Sequence, residues 1–88
     1  MPDLNQRFEQ AQQEVVKLNE APDIASKLQL YAFYKQATEG DIQSERPSTL
    51  QFVAQAKFDA WRKMAGQSRE AAMQGYIDLV EQLKADDE

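Results

Sequence analysis

The sequence predicts an all-α fold, a bundle of four helices. Three observations carry this. Apolar residues recur at steps of three and four in four separate segments. Pro22, Gly40 and Gly66 interrupt them where a helix breaks or readily ends. No segment alternates apolar and polar residues at period two, as a half-buried strand would. The 88 residues suit one small domain, residues 1–88, since domains typically hold about 100–150 residues.

The first helix is predicted over 4–18. Leu4, Phe8, Ala11, Val15 and Leu18 share one face, and Asp3 can cap the start by accepting from a free backbone N–H. The second is predicted over 24–38, capped by Asp23 and stopped by Gly40. Its core stripe is Leu30, Phe33 and Ala37. A longer connection, 41–48, precedes the third helix, predicted over 50–65 with Ser48 or Thr49 as cap and Gly66 as stop. The fourth is predicted over 69–85. Ser68 caps it, and Glu70 in its first turn meets the positive end of the helix dipole. Its apolar face, Ala72, Met73, Tyr76, Ile77, Val80 and Leu83, is expected to pack on the first helix. The acidic end Asp86-Asp87-Glu88 is expected to fray.

Composition excludes much chemistry. There is no cysteine and no histidine. Thiolate catalysis, disulfides, cysteine-zinc sites and the usual neutral-pH general base are therefore removed. Gly40, Gly66 and Gly75 are isolated, so no glycine-rich phosphate loop forms. No nucleophile and base pair off, and the sequence reads as noncatalytic. The net charge of −5 argues against nonspecific nucleic-acid binding. Residues 27–69 nevertheless hold seven basic and four acidic side chains, a locally basic middle that suits one anionic ligand. The polar start and the lack of a long apolar run predict a cytoplasmic address.

Two faces do not fit a plain bundle. On the second helix Leu28, Tyr31, Tyr34 and Lys35 form an arc largely opposite the core stripe. Flat aromatic rings beside a compact positive charge suit a ligand with a planar base and phosphates. Such an arc can equally cover a neighbouring helix edge, with Lys35 in solvent. On the third helix Val53, Lys57, Ala60, Trp61 and Met64 share a face, so Lys57 interrupts an apolar stripe. A buried unpaired ammonium is costly, so Lys57 must reach water or meet an anion. Tyr76 is either a core tyrosine or one that turns its hydroxyl toward a cleft.

The run Tyr31-Ala32-Phe33-Tyr34-Lys35-Gln36-Ala37-Thr38-Glu39-Gly40-Asp41 resembles the hallmark Y-x-x-Y-K-Q-A-T-x-G-D of the acyl-CoA-binding protein family. Glu45-Arg46-Pro47 with Ala56-Lys57-Phe58-Asp59-Ala60-Trp61, and Ala72-Met73-Gln74-Gly75-Tyr76-Ile77-Asp78, agree with the same family in order and spacing. The likeness runs from Phe8 through nearly the whole chain.

This resemblance implies an up-down-down-up order of helices, with a long crossing connection between the second and third. It implies a soluble carrier that binds long-chain acyl-CoA thioesters one to one. A monomer is the simplest reading of the sequence, no cofactor is expected, and transient contact with acyl-CoA-using enzymes or membranes is expected. Carried over by position, Tyr34 would stack on adenine. Tyr31, Lys35 and Lys57 would hold the ribose 3′-phosphate. Tyr76 would contact the nucleotide side of the head group, and Leu28 and Ala56 would lie along the acyl groove. The chain departs from the family at several positions. Gln55 stands for a lysine, Phe58 for a tryptophan and Ser48 for a glycine. Val16 replaces a first-helix lysine, and Lys27 an apolar groove residue. A different class, a module that docks a partner helix on the aromatic arc, is the competing reading.

Overall fold

The computed structural model describes residues 2–87. Four helices form: α1 (Leu4–Val15), α2 (Ile24–Glu39), α3 (Phe52–Arg62) and α4 (Arg69–Asp86). Three of the four starts are set by local chemistry. Asp3 accepts from the Gln6 N–H at 2.8 Å, and the Gln6 side chain accepts from the Asp3 N–H at 3.0 Å, a reciprocal capping box. Asp23 accepts from Ser26 at 2.7 Å, and Ser68 from Ala71 at 3.0 Å. Gly40 and Gly66 adopt φ of 80° and 90°, a region side chains disfavour.

The third start differs from expectation. Residues 49 and 50 form a turn, the Gln51 N–H donates to the Ser48 carbonyl at 3.0 Å, and α3 begins at Phe52 without a side-chain cap. At the other end α3 stops at Arg62, and residues 63–66 form a turn that ends at Gly66. The first helix also stops early, at Val15, where the Lys17 N–H donates to Glu14 three residues back and tightens the last turn.

Helix directions follow from cross-helix contacts. Phe8 packs on Tyr76 and Glu14 pairs with Lys84, so α1 and α4 run parallel. Phe33 lies against Gly75, and Gln36 bonds the Gln67 carbonyl, so α2 runs against α4. Lys57 sits over Tyr31 and Trp61 meets Lys35, so α3 runs with α2. The order is up-down-down-up, with residues 40–51 crossing between α2 and α3. Helix α4 packs on both α1 and α2, whereas α3 packs on α2 alone.

The core is Phe8 and Ala11 of α1, Leu30 and Ala37 of α2, and Ala72, Tyr76, Ile77 and Val80 of α4. No residue of α3 is fully buried. Val53, expected on its buried stripe, is exposed along with Leu50 and Phe52. The expectation of a fraying end also needs correction. Asp86 belongs to α4, and the Asp87 carboxylate accepts from the Asn19 and Glu20 N–H groups at 2.9 and 3.1 Å. It thereby fastens the loop between α1 and α2. Glu88 lies outside the described residues.

One buried polar side chain organises the opposite end. Gln36 is fully buried. Its Nε2 donates to Asp41 Oδ1 at 2.7 Å and to the Gln67 carbonyl at 3.0 Å. Its Oε1 accepts from Trp61 Nε1 at 3.2 Å, and the same indole N–H reaches the Gly40 carbonyl at 2.9 Å. Asp41 also accepts from the Gly66 N–H at 2.9 Å. This hub ties α2, the crossing segment, α3 and the turn before α4 into one corner. Arg46 adds a two-pronged bond to Asp59 at 3.0 Å on each arm, and Gln55 donates to the Pro47 carbonyl at 2.9 Å. The crossing segment is thus secured to α3.

Candidate ligand-binding site

Two hollows along the seam between α2 and α3 are bordered by residues singled out from sequence. One is a cleft of about 380 Å³ between Ala25, Leu28 and Ala32 on α2 and Ala56 and Ala60 on α3, with Met64 of the following turn, and its lining also includes Gln29, Asp59 and Lys63. Small side chains on both walls leave this space open. The other, about 210 Å³, lies beneath the crossing segment and is bordered by Tyr31, Ile42, Pro47, Lys57, Phe58 and Trp61. Ala56 and Lys57 are consecutive on α3, and Leu28 precedes Tyr31 by nearly one turn on α2. The two hollows are thus neighbours along the seam.

The polar residues singled out from sequence form a row of neighbours. Lys57 Nζ stands 5.2 Å from the centre of the Tyr31 ring. Lys35 Nζ stands 5.0 Å from the Trp61 ring and pairs with the Glu39 carboxylate one turn on. That hydrogen bond holds the Lys35 pKa above the usual lysine value, against a smaller opposing effect of burial. Tyr34 is 40 % exposed. Its inner side rests on Phe8, the two rings stacked at 6.2 Å with 29° between planes.

Tyr76 is placed differently from the others. It is buried and packs edge-on against Phe8 at 5.2 Å. Burial raises its phenol pKa, so the hydroxyl remains a neutral donor. Phe8 thus stands between Tyr34 and Tyr76 and joins the exposed ring to the core. Leu28 and Ala56 lie together in the larger cleft, and neither borders the hollow that holds Tyr31 and Lys57.

Two residues of this region escaped the sequence reading. Phe8 was counted only as core, although it backs Tyr34. Glu39 was passed over at a variable position of the hallmark run, although its spacing of four from Lys35 is the signal of a helical ion pair. The departures also find their places. Gln55 holds the crossing segment, Phe58 borders the smaller hollow beneath the Arg62 guanidinium, and Val16 and Lys27 are exposed. Among the described residues no cluster suited to a metal ion forms. None of the described helices is long and apolar enough to cross a membrane.

Residues 5–80 match the family described as Acyl CoA binding protein. The chain belongs to the acyl-CoA-binding protein family. An acyl-CoA-binding protein homolog of Manduca sexta is 45 % identical over 83 residues, covering 93 % of this chain and 92 % of the relative. The crystal structure of Oryza sativa Acyl-CoA-Binding Protein 2 superposes with a TM-score of 0.90 at 36 % identity, covering 96 % of this chain and 93 % of that one. The chain is also 43 % identical over 83 residues to enoyl-CoA delta isomerase 2 of Rattus norvegicus. That match takes in 94 % of this chain but spans only 21 % of the isomerase.

Proposed function

We propose that residues 1–88 form a single acyl-CoA-binding domain that acts as a noncatalytic, monomeric carrier in the cytoplasm. It binds medium- to long-chain acyl-CoA thioesters one to one and contacts acyl-CoA-using enzymes or membranes only transiently. The observation that supports this best is the row Lys57, Tyr31, Lys35 and Tyr34 beside an alanine-lined cleft, in a chain of this family.

Each group has a physical role in the reading. Tyr34 offers adenine an exposed ring held flat by Phe8, and base stacking of this kind contributes about 1–3 kcal/mol. Lys35 and Lys57, with the Tyr31 hydroxyl, take the ribose 3′-phosphate through charge-assisted hydrogen bonds. Tyr76 supports the nucleotide side through Phe8 and its own ring. The acyl chain enters the cleft between Leu28 and Ala56, where each methylene removed from water contributes about 0.8 kcal/mol. Affinity therefore rises with acyl length, while the head group sets specificity. No cofactor is needed.

Calorimetric titration with palmitoyl-CoA, beside free CoA and palmitate, tests the reading. One-to-one binding of the thioester, with both fragments much weaker, is the expected result. Absence of palmitoyl-CoA binding below its micelle threshold would overturn it.

A further inference from the structure

Lys35 and Lys57 stand in unlike surroundings. Among the described residues Lys57 has no carboxylate within ion-pair distance, and its ammonium rests over the Tyr31 ring. Lys35 donates to Glu39, and the Trp61 ring covers another of its sides. A phosphate that approaches the Lys35 ammonium therefore meets Glu39 already bonded to it. We propose that Glu39 sets the affinity of the head-group site by competing with the ligand's phosphate for the Lys35 ammonium. This rests on the reading of Lys35 as a phosphate-holding residue.

The Lys35–Glu39 pair is built to be exchanged. Lysine precedes glutamate by four residues, the weaker of the two orders on a helix. Glu39 is also the last residue of α2, where the negative end of the helix dipole disfavours a carboxylate. Its side chain is about half exposed, whereas that of Lys35 is largely covered. A phosphate bearing two charges can therefore displace it, and the released carboxylate turns to water. The nearby Asp41 does not substitute for it, because its carboxylate is engaged by Gln36 and the Gly66 N–H. Glu39 occupies an open position of Y-x-x-Y-K-Q-A-T-x-G-D, so the hallmark run itself does not call for this carboxylate.

The test is a titration of the parent protein, E39Q, K35A and K35A/E39Q with palmitoyl-CoA and its 3′-dephospho analogue. Far-UV circular dichroism confirms that each variant folds. E39Q should bind palmitoyl-CoA about two- to fivefold more tightly, the equivalent of one exposed ion pair. The gain should vanish for the dephospho ligand and in the K35A background. Two results would overturn the competition while leaving Lys35 in its role: no gain for E39Q when K35A still weakens binding, or an equal gain for both ligands. If K35A binds palmitoyl-CoA like the parent, the reading of Lys35 itself fails and the competition fails with it.

Discussion

Replacing Gln36 by methionine removes a hydrogen-bonding hub while nearly preserving its volume. Three bonds are lost: one to the Asp41 carboxylate, one to the Gln67 carbonyl and one from the Trp61 indole. A bond to a charged group contributes about 1.5–3 kcal/mol and a neutral one about 0.5–1.5 kcal/mol. Trp61 keeps the Gly40 carbonyl and Asp41 keeps the Gly66 N–H, so neither is stranded. The Gln67 carbonyl loses the Gln36 bond. The apolar replacement offsets part of the loss by burying a thioether and its methylenes. The expected destabilisation is about 2–4 kcal/mol, a large share of the roughly 4–13 kcal/mol available to a chain of this size. With a urea slope of about 1–2 kcal/mol/M, the midpoint should fall by at least about 1 M. Urea titration followed by both far-UV circular dichroism and the fluorescence of Trp61, the sole tryptophan, measures it. In Q36M the fluorescence transition should precede the dichroism transition, because the hub joins Trp61 of α3 to the rest. Stability within about 0.5 kcal/mol of the parent, with coincident transitions, would refute the argument that this corner fastens α3.

Three other perturbations follow from the same geometry. Double substitution K35A/K57A should weaken palmitoyl-CoA binding by roughly a hundredfold, as expected for two charge-assisted bonds, and leave palmitate nearly unaffected; an unchanged thioester affinity would favour docking of a partner helix instead. Gly75→Ala places a methyl group in the Phe33 ring and should cost about 1–3 kcal/mol by overpacking, with most of the loss recovered in the G75A/F33L double variant; a stabilised G75A would contradict the close approach. The carboxyls of Asp23, Asp41 and Asp59 all sit below their ordinary pKa, held by the Ser26 N–H, the Gly66 N–H and the Arg46 guanidinium respectively. Their stabilisation is complete above the unfolded value near 3.9 and disappears as pH falls through the lower folded values. The melting temperature should therefore stay level from about pH 7 to 5 and fall below about pH 4, less steeply in D41N, and a step between pH 6 and 8 would contradict a chain without histidine.

What the sequence disclosed was mostly local. Asp3, Asp23 and Ser68 cap by reaching three residues ahead, so spacing alone exposes them. The start of α3 was hidden because Ser48 offers its carbonyl to a turn rather than its hydroxyl to a cap. The arc of Leu28, Tyr31, Tyr34 and Lys35 was legible as a face the core does not need, and the structure leaves it outside the core. The partners on that face were not legible. Phe8 reaches Tyr34 and Tyr76 across three helices, and Trp61 meets Gln36 across 25 positions. Gln36 looked like one more letter of a ligand-binding run. In the folded chain the run divides, with Tyr31, Tyr34 and Lys35 facing outward and Gln36, Gly40 and Asp41 building the corner.

Helix α3 contributes one wall of the alanine-lined cleft yet packs on α2 alone and buries no residue fully. Its excursions therefore cost less free energy than opening the core. The gap between the walls can widen on fast local fluctuations while Phe8, Ile77 and Val80 stay packed. Amide protons of residues 52–62 should accordingly exchange ahead of those in α4. In the proposed reading a long hydrocarbon is taken up and released sideways through the seam, at a rate set by the movement of α3 rather than by unfolding.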